Sequence, residues 1–394
     1  MNALTPLMPD IDFAMNEVPD LYARFDQLRG YGPVVPIRYM GQPTWAILGH
    51  AELDRAYNDA ENFSPHVAYR KLQEPSMGRA LMTLVGEEHR QTRAMVTPAF
   101  VPALVRTQVH ALIEPVAHEV ADRLAGRREV DLVREFAQPF PFTVITRLLG
   151  IPVDDEALFL HWAVKLIDYP WDPEGALKAR REFGDYMLRI IEERRRRPGE
   201  DFVSKLVQAE HEGRRLDDEQ LLALFRFLFP AGSDTTYKNV GSLFAAVLAD
   251  PAMRDLAGQG DAERAALVLE ALRWEAPAAM MPRIATGTTE LGGIRIAEGD
   301  WVTFAIAAAN NDPAKFVEPR RFDPARDNRD LISFGRGAHF CVGMHLALRE
   351  LETALRVVLE RFPDMRLKQG APVEMIGGVM RGPRELWVEL GRAA

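Results

Sequence analysis

The chain holds a single cysteine, Cys341, in the run Phe334-Gly335-Arg336-Gly337-Ala338-His339-Phe340-Cys341-Val342-Gly343. An apolar helix pattern of Val342, Leu346, Leu351, Leu355 and Val358 begins directly behind it. A thiol at a helix N-terminus meets unpaired N–H groups and the positive end of the dipole, which favours thiolate. Glycines permit a tight loop and let the backbone approach a flat ligand closely. One cysteine cannot form an internal disulfide, so this thiol is a ligand, a nucleophile or a small buried hydrophobe. A second chemical run is Ala231-Gly232-Ser233-Asp234-Thr235-Thr236, behind Pro230. An acid and an alcohol beside an interrupted helix can hold water and relay protons. The plainer alternative is a threonine bonding back to the i−4 carbonyl. A third set is basic: His89 and Arg93 stand at i and i+4 on one helix face, and Arg283 follows Pro282. Arginine suits carboxylates through its bidentate fork. Finally, Glu270 and Arg273 have the i,i+3 spacing that puts acid and base on one helix face.

The elements that must position these residues are mostly helical. Apolar residues recur at three and four positions over 105–125, 176–195, 262–275 and 342–361. The 176–195 pattern ends in Arg194–Arg197, which reads as a solvated last turn whose cations suit the helix C-terminus. The longest pattern covers 218–249 and includes LLALFRFLFP, apolar on nearly all sides, so it predicts a central buried helix. Pro230 removes a ladder donor and Gly232 weakens the local helix, which predicts a kink or opening midway. Strands are expected at 45–48, within 289–305 around Gly292-Gly293, and at 385–390. Residues 310–330, rich in Pro and Asp, read as ordered loop. Together these predict a single, mainly α domain over 1–394 with small β-sheets. Composition agrees, with 47% hydrophobic and 27% charged residues, ordinary globular values. The net charge of −9 argues against nucleic-acid binding. No basic and apolar leader opens the chain and no stretch approaches 18 uncharged apolar residues, so neither a signal peptide nor a membrane span is expected, and the expected location is cytoplasmic.

The Phe-x-x-Gly-x-x-x-Cys-x-Gly spacing of Phe334–Gly343 resembles the haem-thiolate loop of the cytochrome P-450 family, with Gly335 and His339 matching its bacterial form. Residues 231–236 resemble the family's oxygen-activation motif, Glu270-x-x-Arg273 its Glu-x-x-Arg pair, and Pro319–Phe322 its meander. The likeness runs from about residue 80 to 390. Departures are Gly86-Glu87-Glu88 where the family favours Asp-Pro, Leu348 where it favours Arg, and Pro230 where an aliphatic residue is commoner.

The resemblance implies a triangular helical haem domain, with haem b between the long helix and the loop after Phe334. Cys341 would be the metal ligand, and thiolate donation favours O–O cleavage. Asp234 and Thr235 would deliver protons. His89, Arg93, Arg283 and His339 would hold the haem propionates, while Ala231, Phe334 and Gly335 would also border the haem. Arg321 would join Glu270 and Arg273 in a buried charge network. The implied reaction inserts one oxygen atom into a C–H or double bond of a hydrophobic small molecule such as a terpenoid, steroid, fatty acid or aromatic. By the same resemblance the substrate pocket draws on 65–85, 163–176, 227–235, Ala278–Met281 and Gly378–Met380, with Ala231, Met280, Met281 and Val379 facing substrate. No G-x-G-x-x-G follows a strand and no further cysteine exists for a cluster, so electrons must come from a separate protein. The implied donors are a ferredoxin and its reductase, drawing on NAD(P)H and meeting a monomer, with Arg336 a candidate docking cation. Rival readings are a peroxide-driven haem-thiolate enzyme, a non-catalytic haem-binding sensor, and a structural helical protein with an inert cysteine.

Overall fold

The computed structural model describes residues 5–391, so both ends of the expected 1–394 span lie outside it. Its main sheet begins with β1 (Val34–Tyr39) and β2 (Gln42–Ile47), an antiparallel hairpin. Met40 and Gly41 turn it at φ of 53° and 73°, the left-handed backbone that a two-residue hairpin turn requires. β3 (Met281–Ile284) and β4 (Trp301–Phe304) complete the order β1-β2-β4-β3, in which β2 and β4 are parallel. One side of this sheet covers its own apolar core, including Phe13, Phe25, Ile37 and Met280. The strands expected at 45–48, within 289–305 and at 385–390 are present, whereas β1 and β3 have no counterpart among those expectations.

Seven longer helices make up the helical part around the central one: α1 (Gly86–Val96), α2 (Pro139–Leu149), α3 (Glu156–Ile167), α4 (Pro173–Arg196), α5 (Asp218–Ala249), α6 (Asp261–Trp274) and α7 (Met344–Arg361). α5 is the central one and packs on α2, α3, α4, α6 and α7. A reciprocal capping box starts it: Asp217 accepts from the Gln220 N–H and Gln220 accepts from the Asp217 N–H. The basic end of α4 is paired, with Arg194 on Asp201 at 2.7 Å and Arg195 on Asp218.

Two expectations need correction. α5 runs unbroken through Pro230 rather than opening there. Proline costs one donor, but Phe229 is clamped among Phe142, Phe159 and Phe183, the last stacked at 5.3 Å. The Ser233 hydroxyl also donates to the Phe229 and Pro230 carbonyls. Packing and side-chain hydrogen bonds therefore hold the helix where propensity alone predicts a break. The charge network also differs. Glu270 and Arg273 form a fully buried pair at 2.7 Å, but Arg321 turns outward to Glu318 and offers only its carbonyl to Arg273. Arg326 approaches Glu270 instead, at 3.6 Å.

Candidate active site

Between α5, α7 and the 333–343 loop lies a cavity of about 1340 Å³. Cys341 lines it from the loop, and Ala231 and Thr235 line it from α5. The loop is closed by a hydrogen bond from the Cys341 N–H to the Phe334 carbonyl, 2.9 Å. Gly335 and Gly337 take φ of 71° and 67°, where side chains are strained. The thiol faces the backbone N–H groups of Gly343 and Met344 at the start of α7. Burial nevertheless pushes it above the ordinary thiol range, outweighing those N–H groups and the Arg93 guanidinium. This corrects the expectation of a depressed thiol: in the protein alone, desolvation is the larger effect.

Four basic side chains converge at one edge. The His89 and His339 rings lie 4.2 Å apart, Arg93 donates to the Phe340 carbonyl at 2.5 Å, and Arg283 lies over the Phe304 ring at 4.6 Å. His89 Nε2, Arg283 Nε and His339 Nδ1 are buried and unpartnered. Burial first, then His89, Arg283 and Arg93, lowers the His339 pKa to about 3. Burial and then Arg93 lowers that of His89. Mutually repelling donors without an acid demand an anion. A flat group carrying two carboxylates at its edge and a metal at its centre fits this arrangement, with the thiol beneath it.

On the opposite wall the Thr235 hydroxyl donates to the Ala231 carbonyl at 3.1 Å, the local back-bond named above as the plainer alternative. It still lines the cavity. Gly232 lets α5 close on α2, since a Cβ there would meet Ile145 at 2.7 Å. Asp234 is outside the cavity lining and lies beside Tyr237 and Lys238; burial raises its pKa against the pull of Lys238.

The expected pocket segments divide. Leu81, Met82, Phe227, Leu228, Ala278 and Met281 line the cavity, but 163–176 and 378–380 do not. Met280 and Val379 are therefore corrected. Met281 opens β3 and faces the cavity, so its neighbour Met280 points the other way, fully buried in the sheet's core. Val379 packs against that same core and uses its carbonyl to accept from Ala279. Sequence reasoning missed Tyr57, Asn239 and Glu350, which line the cavity, whereas Tyr69 and Thr236, also in the lining, fall within segments it had named. For Glu350 a signal existed: an acid inside the apolar row of Leu346, Leu351 and Leu355.

The family model for cytochrome P-450 matches residues 18–255 and 265–385. The chain belongs to the cytochrome P-450 family. Among its relatives, 6-deoxyerythronolide B hydroxylase of Saccharopolyspora erythraea is 31% identical over 379 residues, 91% of this chain and 93% of its own. The cytochrome P-450 monooxygenase PikC of Streptomyces venezuelae is 32% identical over 371 residues, 90% of this chain and 86% of its own. The solved structure of PksS from the Bacillus subtilis bacillaene polyketide synthase aligns with a TM-score of 0.87 at 30% identity, over 95% of this chain and 97% of that one. This is a cytochrome P-450 monooxygenase with the family's mainly helical fold and small sheets, and the family implies haem held through a thiolate. Among the described residues no helix is long and apolar enough to cross a membrane.

Proposed function

We propose that this cytochrome P-450 hydroxylates or epoxidises a hydrophobic small molecule, using electrons from a separate ferredoxin and its reductase. The carrying observation is one cavity with Cys341 on one wall, Thr235 on the other and unpartnered basic groups at its edge. The chemistry that bound haem supplies is activation of dioxygen and transfer of one oxygen atom to carbon. Cys341 would hold the iron as thiolate, since a metal-coordinating thiol gives up its proton even when buried. His89, Arg93, Arg283 and His339 hold the two carboxylates, with Phe334, Gly335 and Ala231 against the ring. The Thr235 hydroxyl, whose own proton goes to the Ala231 carbonyl, turns its oxygen to the cavity as an acceptor that can hold a proton donor there, and Asp234 supplies protons from the other side of α5. Leu81, Met82, Phe227 and Met281 exclude water and orient an apolar substrate. The Asp234–Thr235 pair favours dioxygen over peroxide as oxidant, because peroxide brings its own protons. The reading includes a cytoplasmic monomer in which residues 1–394 form one haem domain. The single-domain part of this reading is supported by one cavity lined by residues from Tyr57 to Leu351.

The names of 6-deoxyerythronolide B hydroxylase and of the bacillaene PksS make polyketide-derived molecules the first class to try, with steroids and fatty acids next. The holoenzyme is screened for spectral shifts, and each binder is then incubated with NADH, a surrogate ferredoxin and its reductase. Oxygenated product in step with NADH use is the expected result. Product with peroxide alone at the full rate, or binding without product from any donor, contradicts the reading.

A further inference from the structure

Arg180 on α4 and Arg226 on α5 meet one carboxylate, that of Glu219, away from the site described above. Arg226 is 4% exposed and donates to Glu219 at 3.0 Å, while its Nε is unpartnered among the described residues. Burial works against the Arg226 charge and Glu219 supports it. α4 makes room for this guanidinium with Gly184, where a Cβ would stand 2.5 Å from an Arg226 nitrogen. A buried cation fixes its acid, because losing that partner would leave the charge uncompensated. Glu219 is thereby held at the start of α5, and the same Oε1 accepts from Arg180 at 2.6 Å.

Arg180 turns its other terminal nitrogen to backbone. It donates to the Pro75 carbonyl at 2.8 Å and to the Glu74 carbonyl at 3.3 Å. Those carbonyls belong to a four-residue helix, Glu74–Met77, too short to be stable by itself. From another side the Ser76 hydroxyl donates to the Leu166 carbonyl near the end of α3, at 2.7 Å. Gly78 follows the helix at φ of 86° and comes so close to α5 that a Cβ would meet that of Ala223 at 3.0 Å. A cleft of about 500 Å³ is bordered by Glu74, Pro75, Arg180 and Glu219, so on this face charge-assisted hydrogen bonds rather than packed carbon hold the short helix. Leu81 and Met82, just beyond Gly78, line the haem cavity, as does Phe227, next to Arg226 on α5.

We infer that Arg180 is a positioning residue for the substrate: anchored through Glu219 to the buried Arg226, it seats the Glu74–Met77 helix and thereby sets Leu81 and Met82 against an apolar ligand. The inference rests on the monooxygenase reading above for the nature of that ligand. Arg180 itself is outside the cavity lining and acts through the short helix.

Two probes that bind haem iron without turnover test this on the holoenzyme. Imidazole is small, and 4-phenylimidazole carries an added aromatic ring into the apolar part of the cavity. Optical titration gives the ratio of their affinities. In Arg180→Met, which keeps an apolar stem, the preference for 4-phenylimidazole should fall about tenfold, the scale of a lost hydrogen bond to a charged group, with imidazole affinity unchanged. Arg180→Lys keeps the charge without the fork and should fall in between. Glu219→Gln should show the same loss as Arg180→Met, and the double variant should lose no more than either single one. Amide hydrogen exchange over residues 76–82 should quicken in ligand-free Arg180→Met. Wild-type exchange in that variant, an equal loss for both probes, or additive losses in the double variant would each overturn the proposal. Oxygenated product from wild type, with an unchanged probe ratio in Arg180→Met, would remove the positioning role and leave the monooxygenase reading. The expected loss of ratio, with no product from wild type and any donor, would do the reverse.

Discussion

At Cys341 two effects oppose each other on one sulfur. The helix start and two backbone N–H groups favour thiolate, and burial disfavours it more strongly. Sequence reasoning weighed only the first, because the depth of a loop is not written in its spacing. Thr235 is a similar case. Its back-bond to Ala231 satisfies the hydroxyl, yet the side chain still faces the cavity. Thr235→Ala should therefore bind substrate and consume NADH at near wild-type rates while releasing hydrogen peroxide in place of product. Unchanged product per NADH, measured by product and peroxide assay, contradicts its proton role. His339 provides a pH test. Its folded pKa of about 3 lies below the ordinary 6.5, so the unfolded chain binds the extra proton in between. Stability from this group is complete above 6.5 and falls as pH drops toward 3. Haem-free protein should thus lose urea resistance between about pH 7 and about pH 5, and His339→Gln should flatten that loss. Bound haem carboxylates oppose the effect, so the holoenzyme should be less sensitive. Identical slopes in His339→Gln and wild type would rule this assignment out.

Elements with strong periodicity were legible and those without it were not. α5, α6 and α7 follow from their apolar spacing, and the Glu270–Arg273 pair follows from i,i+3 geometry. The partner of that pair did not follow. Residues 310–330 carry several arginines and no period, so nothing in the sequence ranks Arg326 above Arg321. β3 was illegible too, being four residues with proline inside, and without it the opposite facing of Met280 and Met281 is invisible. Pro230 shows propensity overridden by an aromatic clamp. The network gives a stability contrast. Arg326 is 12% exposed beside a fully buried acid, so Arg326→Ala strips Glu270 of a cation and should cost about 1–3 kcal/mol. Arg321 is 64% exposed, and Arg321→Ala should stay within about 0.5 kcal/mol of wild type. Thermal unfolding of the two variants decides it, and equal losses would contradict the observed wiring.

On the scale of the whole molecule, the cavity gathers residues from Tyr57, His89, Thr235, Arg283 and Cys341, far apart in the chain. Only a long chain with a deep interior can close such a site, which is why motif spacing identified its members but not their orientation. Net charge of −9 hides local patches. Arg336, in the thiol loop, is 27% exposed and paired with Asp54 at 3.3 Å. An acidic ferredoxin approaching this face would meet a cation half-neutralised by that partner. Arg336→Glu should slow ferredoxin-dependent reduction, and Asp54→Asn should speed it. Both effects should grow at low salt, where the screening length reaches roughly 30 Å. Stopped-flow reduction across a salt series reads them, and rates equal to wild type in both variants would remove Arg336 from the docking surface.

The central claim is that Cys341 binds haem iron as thiolate. The most direct measurement is the absorption spectrum of the reduced protein under carbon monoxide. Wild type should give the strongly red-shifted Soret band of thiolate-ligated haem, and Cys341→Ser should lose it. A wild-type spectrum without that band, or a Cys341→Ser variant that keeps it, would contradict the account.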